Sequence, residues 1–330
     1  MENFQELFKK FSSVKVGVIG DVMLDTYMWG DVDRVSPEAP VPIVSLKKRE
    51  LRIGGAGNVA LNIQSLGAKP FVISVTGDDD DADKLGSLFT SQKINCTYCV
   101  RSKERITTNK TRVISRNQQM MRLDAEITND LCKEDEEKLI ELFEQFVEKE
   151  KPDVVILEDY NKGVLTEALI QVVISVCKKA GVITAVDPKR KNFLRYKGVD
   201  IFKPNLKEVK DALNLLFTDV NIKLLQDVHK ELTHLLRHRI SFITLSDKGV
   251  FYGEDSRSAI IPSHLRNIAD VSGAGDTVIA VASLVYAVTK NVQIMAEIAN
   301  IAGGLVCEEV GTVAIDQEKL LHECNVLLAQ

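Results

Sequence analysis

The segment PDVVILEDYNKGVLTEALIQVVISVCKKAGVITAVD, residues 152–187, contains the pattern that decides the fold. Its two ends, 152–159 and 181–187, are short apolar runs rich in β-branched residues, as in the strands of a buried sheet. Residues 166–181 between them place apolar side chains at the spacing of a helix. A strand, a helix and a second strand joined by short connections are typical of a parallel sheet.

The same alternation extends in both directions along the chain. Further strands are predicted at 14–20, 70–77 and 240–247, and further helices at 58–67, 135–150 and 221–238. After residue 270 the pattern is mostly helical. The sequence therefore predicts an α/β fold with a doubly wound, mostly parallel sheet, whose ligands bind beyond the carboxyl ends of the strands.

Two segments interrupt this alternation. Residues 25–53 and 96–124 combine period-2 patterns with charges, and the first also contains prolines; neither has a helical stripe. We expect them to form a small β flap, or lid, over one end of the sheet. No low-complexity linker or internal repeat divides the chain, so we expect one domain over residues 1–330 with the flap as an insertion.

Composition excludes several classes of function. The 330 residues include 42 basic and 47 acidic side chains, a formal charge of -5, so no global positive field would attract nucleic acid and any anion site must be local. The N-terminus lacks a signal-peptide pattern, and no window of about 18 apolar residues occurs, which predicts a cytoplasmic protein without a membrane partner. Six cysteines fit reduced thiols, because Cys96 and Cys99 lack a second pair to complete a zinc site.

The motif DVSGAGDTV, residues 270–278, carries the strongest chemical signal. Gly273, Ala274 and Gly275 precede a predicted helix, so their N–H groups would point from its N-terminus and form an anion hole. Asp276 beside them could accept the proton of a hydroxyl that attacks a phosphoryl group held there. The helix dipole would also stabilise this carboxylate as an anion and weaken it as a base. An aspartate cap after a glycine turn is the structural alternative.

Two other motifs lie before helices. GGAGNVA, residues 54–60, is a glycine turn that is neither G-x-G-x-x-G nor a P-loop, so a nucleotide would bind elsewhere. KPNLKEV, residues 203–209, places Asn205 and Glu208 on one side of a helix start, where they could orient a hydrated magnesium ion near phosphates. Taken alone, this second motif is also an ordinary capping arrangement.

The two glycine motifs, in this order, resemble the signatures of the ribokinase-like (PfkB) family of sugar kinases, and the resemblance spans essentially the whole chain. The matching positions are Gly54, Gly55, Ala56, Asn58, Ala60, Gly67, Gly77 and 270–276. The resemblance implies a ribokinase-like fold and an ATP- and magnesium-dependent sugar kinase, and it leaves open a potassium ion near the anion hole. It also implies nucleotide contacts from Ser246, Gly249 and Asn300.

A closer resemblance lies within that family. Residues 20–44, 107–124, 158–163 and 187–189 are similar to the D-glycero-β-D-manno-heptose-7-phosphate kinases of bacterial ADP-heptose synthesis, which serves the lipopolysaccharide core. The resemblance implies phosphorylation of the anomeric hydroxyl of that heptose 7-phosphate by ATP, to the 1,7-bisphosphate, and a homodimer formed through the flap.

The same resemblance implies roles for individual residues. Asp276 would be the base, Gly273 to Gly275 the anion hole, and Asn205 and Glu208 part of the ATP and magnesium site, with Glu208 acting through water. Contacts to the sugar are expected from Asp25, Gly55, Asn58, Asn62 and Asp159. Glu158 stands where a serine is expected before the Asp-Tyr pair.

Basic residues of the flap could recognise a second phosphate, the one already on the substrate. They are Arg34, Lys110, Arg112, Arg116 and Arg122, and Lys189 follows a predicted strand end that faces the same cleft. Guanidinium groups bind phosphate with two parallel hydrogen bonds, which suits such a site. For any single member of the set, an ordinary surface cation is the alternative.

Other functions stay open from the sequence. The chain could phosphorylate another phosphosugar, a sugar or a nucleoside, or it could be a non-catalytic sugar-phosphate sensor. Intact Asp276 and its glycine turn argue against the sensor. The five histidines include no pair separated by two residues, so we do not expect the H-x-G-H-type nucleotidyltransferase activity that is fused to some relatives.

Overall fold

A computed structural model describes residues 3–116 and 118–328. Its main element is a sheet of nine strands. Neighbouring strands are parallel, except that at one edge the two strands that come last in the chain are antiparallel to their neighbours. In spatial order these strands are β13 (Arg257–Ile261), β12 (Val250–Glu254), β11 (Ile240–Thr244), β10 (Ile201–Phe202), β9 (Ile183–Asp187), β8 (Val154–Glu158), β1 (Lys15–Gly20), β4 (Lys69–Gly77) and β5 (Asn95–Ser102).

Helices cover both faces of the large sheet. They are α1 (Phe4–Lys10), α2 (Ala56–Ser65), α3 (Asp80–Ser91), α4 (Lys133–Glu150), α5 (Glu167–Ala180), α6 (Leu206–Leu213), α7 (Ile222–Leu236), α8 (Ala274–Thr289), α9 (Val292–Val306) and α10 (Gln317–Leu328). Every strand and helix predicted from periodicity is present, and the doubly wound, mostly parallel α/β fold is confirmed.

Each face of the sheet has its own hydrophobic core, and β8 shows how the sequence supplies both. Val154 and Ile156 pack with α2, α8 and α9, whereas Val155 and Leu157 pack with α4, α5 and α7. Successive side chains of a strand point to opposite faces, so a continuous apolar run serves two cores at once. The residue that ends this strand, Glu158, therefore continues the face that packs against α8.

Four further strands form a separate small sheet beside the carboxyl ends of the large one. Its order is β3 (Pro42–Gly55), β2 (Val22–Val35), β6 (Asn109–Ser115) and β7 (Gln118–Ala125). Strand β2 follows β1 after one residue, and β3 ends at Gly55, directly before α2. The small sheet is thus joined to the large one at β1 and α2, the two elements that approach the site described below.

One boundary of the predicted flap is wrong. Residues 96–102 belong to β5, which pairs in parallel with β4 at the edge of the large sheet. Tyr98 and Val100 of this strand are buried in the core beneath α4. An alternating pattern is the same for a strand of either sheet, so periodicity could not separate them.

No helix in the described part of the chain is both long and apolar enough to cross a bilayer.

Candidate active site

The carboxyl ends of three neighbouring strands bring the polar residues of the site together. Gly20 of β1 pairs with Glu158 of β8, which in turn pairs with Asp187 of β9, so the residues that follow each strand meet at one edge. The N-termini of α2 and α8 reach the same edge, since both helices contact β1 or β8 and each other. This is where ligands bind in doubly wound sheets.

Asp276 occupies the centre of this edge. Its carboxylate is buried, and Oδ2 accepts a hydrogen bond of 2.7 Å from Asn58 Nδ2 while Oδ1 accepts one of 2.6 Å from the Tyr160 hydroxyl. Gly273, which precedes α8, has a φ of 79°, and a β-carbon there would lie 2.9 Å from Asn58 Nδ2. Glycine is therefore required for both the backbone conformation and the close approach of Asn58.

Burial raises the pKa of Asp276 to about 6, against the lowering effect of its hydrogen bonds with Tyr160 and Asn58. Removal of the carboxylate from water thus outweighs the hydrogen bonds that stabilise its charge, and a weakening of the base by the helix terminus stays a prediction. A carboxylate with this pKa is mostly ionised at neutral pH and can still accept a proton.

The first turn of α8 has unused donors at the position predicted for an anion hole. Among the described residues, the backbone N–H groups of Gly273 and Gly275 have no hydrogen-bond partner, whereas Ala274 donates to the Val271 carbonyl at 3.3 Å. An unpaired N–H at a helix N-terminus is a donor available to an anion. Two of the three predicted amides are thus free.

Two lysines lie beside this helix terminus. Lys203 is buried and its Nζ is 2.8 Å from Asp187 Oδ2, and Lys189 Nζ is 2.9 Å from Asp187 Oδ1 and 3.1 Å from Glu208 Oε1. A β-carbon on Gly275 would be 3.7 Å from Lys203 Nζ, so this ammonium is close to the free amides. Lys203 was missed from the sequence, although it begins the motif KPNLKEV.

Asp159 is hydrogen-bonded inside the protein, whereas its neighbour Tyr160, for which the sequence predicted no role, lies at the site. The Asp159 carboxylate accepts from the Asn161 N–H at 2.8 Å, the Tyr196 hydroxyl at 2.6 Å and Asn192 Nδ2 at 3.2 Å. Because its acceptors are used inside the protein, the sugar contact predicted for Asp159 is withdrawn. Tyr160, its neighbour, instead contacts Asp276.

Asn62 is also a structural residue rather than a sugar ligand. Its Oδ1 accepts from the Thr277 hydroxyl at 3.0 Å and from the Ile315 N–H at 2.9 Å, and its Nδ2 donates to the Asn58 carbonyl at 2.8 Å. The side chain is fully buried. It therefore joins α2 to α8 and so helps to hold Asn58 against Asp276.

Glu158 is a buried carboxyl that sequence reasoning noted only as a departure. Neither of its oxygens has a hydrogen-bond partner among the described residues. Burial, followed by the charges of Asp187 and Asp276, raises its pKa well above the ordinary value, while Lys189 and Lys203 oppose the shift. Burial thus favours the protonated, neutral form of this side chain in the floor of the site.

The small sheet contributes a buried ion pair. Asp25 Oδ1 accepts a 2.5 Å hydrogen bond from Arg112 Nη1, and the Arg112 guanidinium lies 5.2 Å from the centre of the Tyr27 ring. Gly54 of β3, which pairs with Met23, leaves room for the Asp25 carboxylate, which a β-carbon would overlap. Gly55 has a φ of 61° and turns the chain into α2. Both glycines thus serve the junction of the two sheets.

Lys110 differs from the other predicted cations of the small sheet. It is half-buried, its Nζ lies 5.7 Å from the Tyr160 ring centre, and it forms no ion pair within the described residues. Burial first, and the nearby Lys162 second, lower its pKa. Lys189 Nζ lies 5.5 Å from the same ring. Two ammonium groups therefore flank the tyrosine that contacts Asp276.

The remaining flap cations do not gather at the site. Arg116 follows β6 and is 76% exposed, 3.9 Å from Asp33, and Arg34 is exposed near the end of β2. Six residues of strand separate Arg116 from Lys110, roughly 20 Å. Arg122, opposite Arg112 in the register, pairs with Asp124 at 2.8 Å. The structure therefore divides a cluster that the sequence treated as one.

The predicted nucleotide side has the expected polar edge. Asn205 and Glu208 form a capping box at α6, with reciprocal hydrogen bonds of 2.8 Å, and one Glu208 oxygen also faces Lys189. Among residues 3–116 and 118–328 no group of three or more His, Cys, Asp or Glu side chains forms a metal site. The carboxylate of Glu208 and the amide oxygen of Asn205 are oxygen ligands of the kind that suits magnesium, which keeps several waters and binds substrate phosphates.

Of three further positions predicted to contact the nucleotide, two lie in a turn and one lies on a helix. Ser246 and Gly249 follow β11 with φ angles of 59° and 92°, and a β-carbon on Gly249 would overlap the Ile261 carbonyl. Asn300 of α9 donates to the Pro262 carbonyl at 2.9 Å. Asn300 thereby holds the start of the loop that leads to Asp270.

Comparisons with known proteins identify the family of this chain. A sequence model described as pfkB family carbohydrate kinase matches residues 14–319. The bifunctional protein HldE of Aliarcobacter butzleri is 40% identical over 314 residues, which cover 93% of this chain and 65% of that protein. The bifunctional protein HldE of Desulfatibacillum aliphaticivorans is 38% identical over 94% of this chain and 63% of its own length. The chain thus spans less than two thirds of these relatives.

Solved structures with the same fold have distant sequences. Phosphofructokinase-2 from Escherichia coli in complex with potassium has a TM-score of 0.78 at 17% identity, covering 96% of this chain and 99% of that one. Ribokinase from Arabidopsis thaliana complexed with ribose and ATP has a TM-score of 0.71 at 16% identity, covering 93% and 98%. At these identities the likeness shows the fold alone.

Proposed function

Since this chain belongs to the pfkB family of carbohydrate kinases, we propose that it transfers the γ-phosphoryl group of ATP to the anomeric hydroxyl of D-glycero-β-D-manno-heptose 7-phosphate. The observation that carries the choice of a phosphorylated sugar is Lys110, a half-buried ammonium without an anionic partner among the described residues, beside Tyr160 and Asp276. The relatives named HldE and the heptose-kinase-like segments 20–44 and 107–124 support the heptose.

The proposed reaction follows from three groups around the acceptor hydroxyl. Tyr160 and Asn58 hold the two oxygens of Asp276, so the carboxylate has one orientation when the hydroxyl arrives. The hydroxyl oxygen forms a bond to the γ-phosphorus, the bond from that phosphorus to the β,γ-bridging oxygen breaks, and the hydroxyl proton moves to Asp276. Because the transition state of phosphoryl transfer is loose, positioning matters more than base strength.

The free amides of Gly273 and Gly275 and the ammonium of Lys203 would stabilise negative charge on the transferring group. Glu208 and Asn205 would hold water molecules of a magnesium ion, which when bound neutralises charge on the β- and γ-phosphates. Ser246, Gly249 and Asn300 would border the nucleotide. A requirement for potassium stays a prediction.

We assign recognition of the acceptor to the small sheet, acting as a lid. Asp25 would accept from sugar hydroxyls while Arg112 holds it in place, and Lys110 would bind the 7-phosphate. A closed lid would exclude water, which otherwise competes with the sugar as acceptor. Lys189 would serve the phosphates of ATP rather than the 7-phosphate, because it is bonded to Asp187 and Glu208.

We also propose a homodimer through the small sheet. Large apolar side chains are exposed on its strands and turns: Val35, Val41, Leu46, Met121 and Leu123. Several such side chains on one small sheet are more typical of an interface than of free surface. Light scattering after gel filtration should give a dimer for the native chain and a monomer for the Leu46→Glu/Leu123→Glu variant; a monomeric native chain would refute this part.

The substrate is tested with ATP, magnesium, potassium and a panel of acceptors: the heptose 7-phosphate, the same heptose without phosphate, fructose 6-phosphate, ribose and adenosine. Phosphorus NMR should show ADP and a new anomeric phosphate from the heptose 7-phosphate only. The unphosphorylated heptose isolates the contribution of the 7-phosphate. Faster turnover of ribose, adenosine or fructose 6-phosphate would overturn the assignment.

A further inference from the structure

The two hydrogen-bond donors of Asp276 lie on separate segments, and both segments are anchored by one buried residue, Asp21. Its carboxylate is 1% exposed. Oδ2 accepts from the Tyr160 N–H at 2.8 Å and the Lys162 N–H at 3.1 Å, and Oδ1 accepts from the Val164 N–H at 3.1 Å. Three hydrogen bonds from one loop to one carboxylate fix the backbone that carries the Tyr160 ring.

The main chain of Asp21 holds the second segment. Its carbonyl accepts from the Ala56 N–H at 3.0 Å, at the first residue of α2 and two residues before Asn58. The Asp21 N–H donates to the Glu158 carbonyl at 3.2 Å, which ties the residue to β8. A β-carbon at Gly55 would overlap the Asp21 carbonyl, so the contact with α2 depends on glycine there.

Arg105 is also hydrogen-bonded to this loop. Its guanidinium donates to the Lys162 carbonyl, to the Ile127 carbonyl at 3.2 Å and to the Asn129 carbonyl at 2.8 Å. The anionic Asp21 thus accepts from N–H groups of the loop, and the cationic Arg105 donates to one of its carbonyls. Arg105 and Asp21 are close enough for their charges to interact.

We propose that Asp21 is a positioning residue for phosphoryl transfer, which acts through Tyr160 and Asn58 to hold the Asp276 carboxylate in its reactive orientation. The inference rests on the proposed role of Asp276 as the base. A carboxylate is needed at position 21 because three N–H donors converge on it; an asparagine there would turn an amide donor toward at least one of them. A displaced Tyr160 would leave Asp276 free to rotate away from the acceptor.

The test is a double-mutant cycle with Asp21→Asn and Tyr160→Phe, in the full chain with ATP, magnesium and heptose 7-phosphate. Each single variant should lower kcat about tenfold or more, with the KM for ATP changed less than about twofold. The kcat of the double variant should lie within about threefold of the kcat of the slower single variant, because both changes remove the same constraint. Effects that multiply, or a kcat for Asp21→Asn within twofold of native, would overturn the proposal.

A matched control separates positioning from general loss of stability. Asp200 is a half-buried carboxylate that accepts from the Thr184 N–H at 2.8 Å and from the Thr184 hydroxyl at 3.0 Å, near the beginning of β9 and so at the opposite edge of the large sheet from the site. Asp200→Asn should lower the melting temperature without changing kcat. If it lowers kcat as much as Asp21→Asn does, the effect is destabilisation and the proposal fails.

A second variant covers the case in which Asp21→Asn does not fold. Arg105→Lys keeps the charge but loses the fork that binds three carbonyls, so it should lower kcat by a smaller factor, again without an added effect in the Tyr160→Phe background. An additive effect there would count against the proposal. Asp276→Asn is measured first: full activity of that variant would remove the base itself, a result distinct from an unchanged Asp21→Asn.

Discussion

The edge of the large sheet and the small sheet beside it hold their polar groups in different ways. At the edge, Tyr160 and Asn58 each donate a hydrogen bond to Asp276, at 2.6 and 2.7 Å. In the small sheet, Lys110 has no counter-ion among the described residues, and Arg116 is mostly exposed. The proposed base is thus preorganised by its neighbours, whereas Lys110, proposed to bind the substrate phosphate, keeps its bonding capacity free. Asp25, which Arg112 holds in place, is the preorganised group of the small sheet.

The largest effect expected from this difference is at Asp276. Asp276→Asn keeps the size of the side chain and a partner for Asn58 or Tyr160, but it cannot accept the acceptor proton. We expect kcat to fall by about 10² to 10⁴, with ATP affinity nearly unchanged. Single-turnover ADP release and calorimetric titration of ADP check the two halves of this expectation.

The control for this variant is Asp200→Asn, which alters a carboxylate bonded to Thr184 near the beginning of β9, without contact to Asp276 or to its two hydrogen-bond donors. It should lower stability far more than kcat. Near-normal turnover of Asp276→Asn would remove this carboxylate from the mechanism and would make the preorganised edge a structural feature only.

In the small sheet, Lys110→Ala should mainly change substrate affinity. Loss of a charged hydrogen bond to phosphate costs about 1.5–3 kcal/mol, so the KM for the phosphosugar should rise about tenfold or more while the KM for ATP stays within about twofold. Steady-state kinetics with each substrate varied in turn measures both constants.

The unphosphorylated heptose shows whether Lys110 contacts the 7-phosphate. If it does, the native chain and Lys110→Ala should have similar KM values for that sugar. An equal rise of both KM values would instead assign Lys110 to ATP or to the fold. Arg112→Ala is a poorer probe, because it would leave Asp25 buried without its partner.

The sequence was sufficient for the fold because periodicity and strand ends are local properties. The same property explains one error at the site. Alternation along β8 places Glu158 toward α8 and Asp159 toward the opposite core. The correctly predicted strand therefore already argued against a sugar contact from Asp159. Which face of that sheet carries the reaction depends on the position of α8, a long-range fact.

Other features had no local signal. Asp21 is bonded to a loop that lies far along the chain, and Lys110 differs from Arg116 only in what surrounds it in space. The pKa of Asp276 depends on burial that the motif DVSGAGD does not report. Motifs therefore located the proposed base, while its environment and its partners came from tertiary packing.

A moderate effect on stability is expected at Glu158, the unpartnered acid of the edge. Its folded pKa is raised, so above the pKa of the unfolded chain folding requires the carboxyl to retain a proton, and free energy of unfolding is lost as pH rises. Glu158→Gln has no charge to lose. Its melting temperature should exceed that of the native chain by roughly 2 °C or more at pH 8, and by less at pH 5.

Scanning calorimetry at pH 5 and pH 8 checks this, with the exposed Glu137→Gln of α4 as a control that should give no pH-dependent difference. A constant difference between the native chain and Glu158→Gln at both pH values would show that Glu158 is not a buried neutral acid.

The smallest effect is expected where the small sheet is most exposed. Arg116 lies beyond the end of β6, roughly 20 Å of strand from Lys110, and its 3.9 Å pair with Asp33 is between two side chains that are 76% and 70% exposed. Arg116→Ala should therefore change kcat and both KM values by less than about twofold, and its melting temperature by about 1 °C at most. Measured beside Lys110→Ala under the same conditions, it tests whether recognition depends on position within the small sheet or only on its total positive charge. If Arg116→Ala raises the KM for the phosphosugar as much as Lys110→Ala does, and the rise disappears at high salt, then the cations act together through a long-range field and the distinction between Lys110 and Arg116 is wrong.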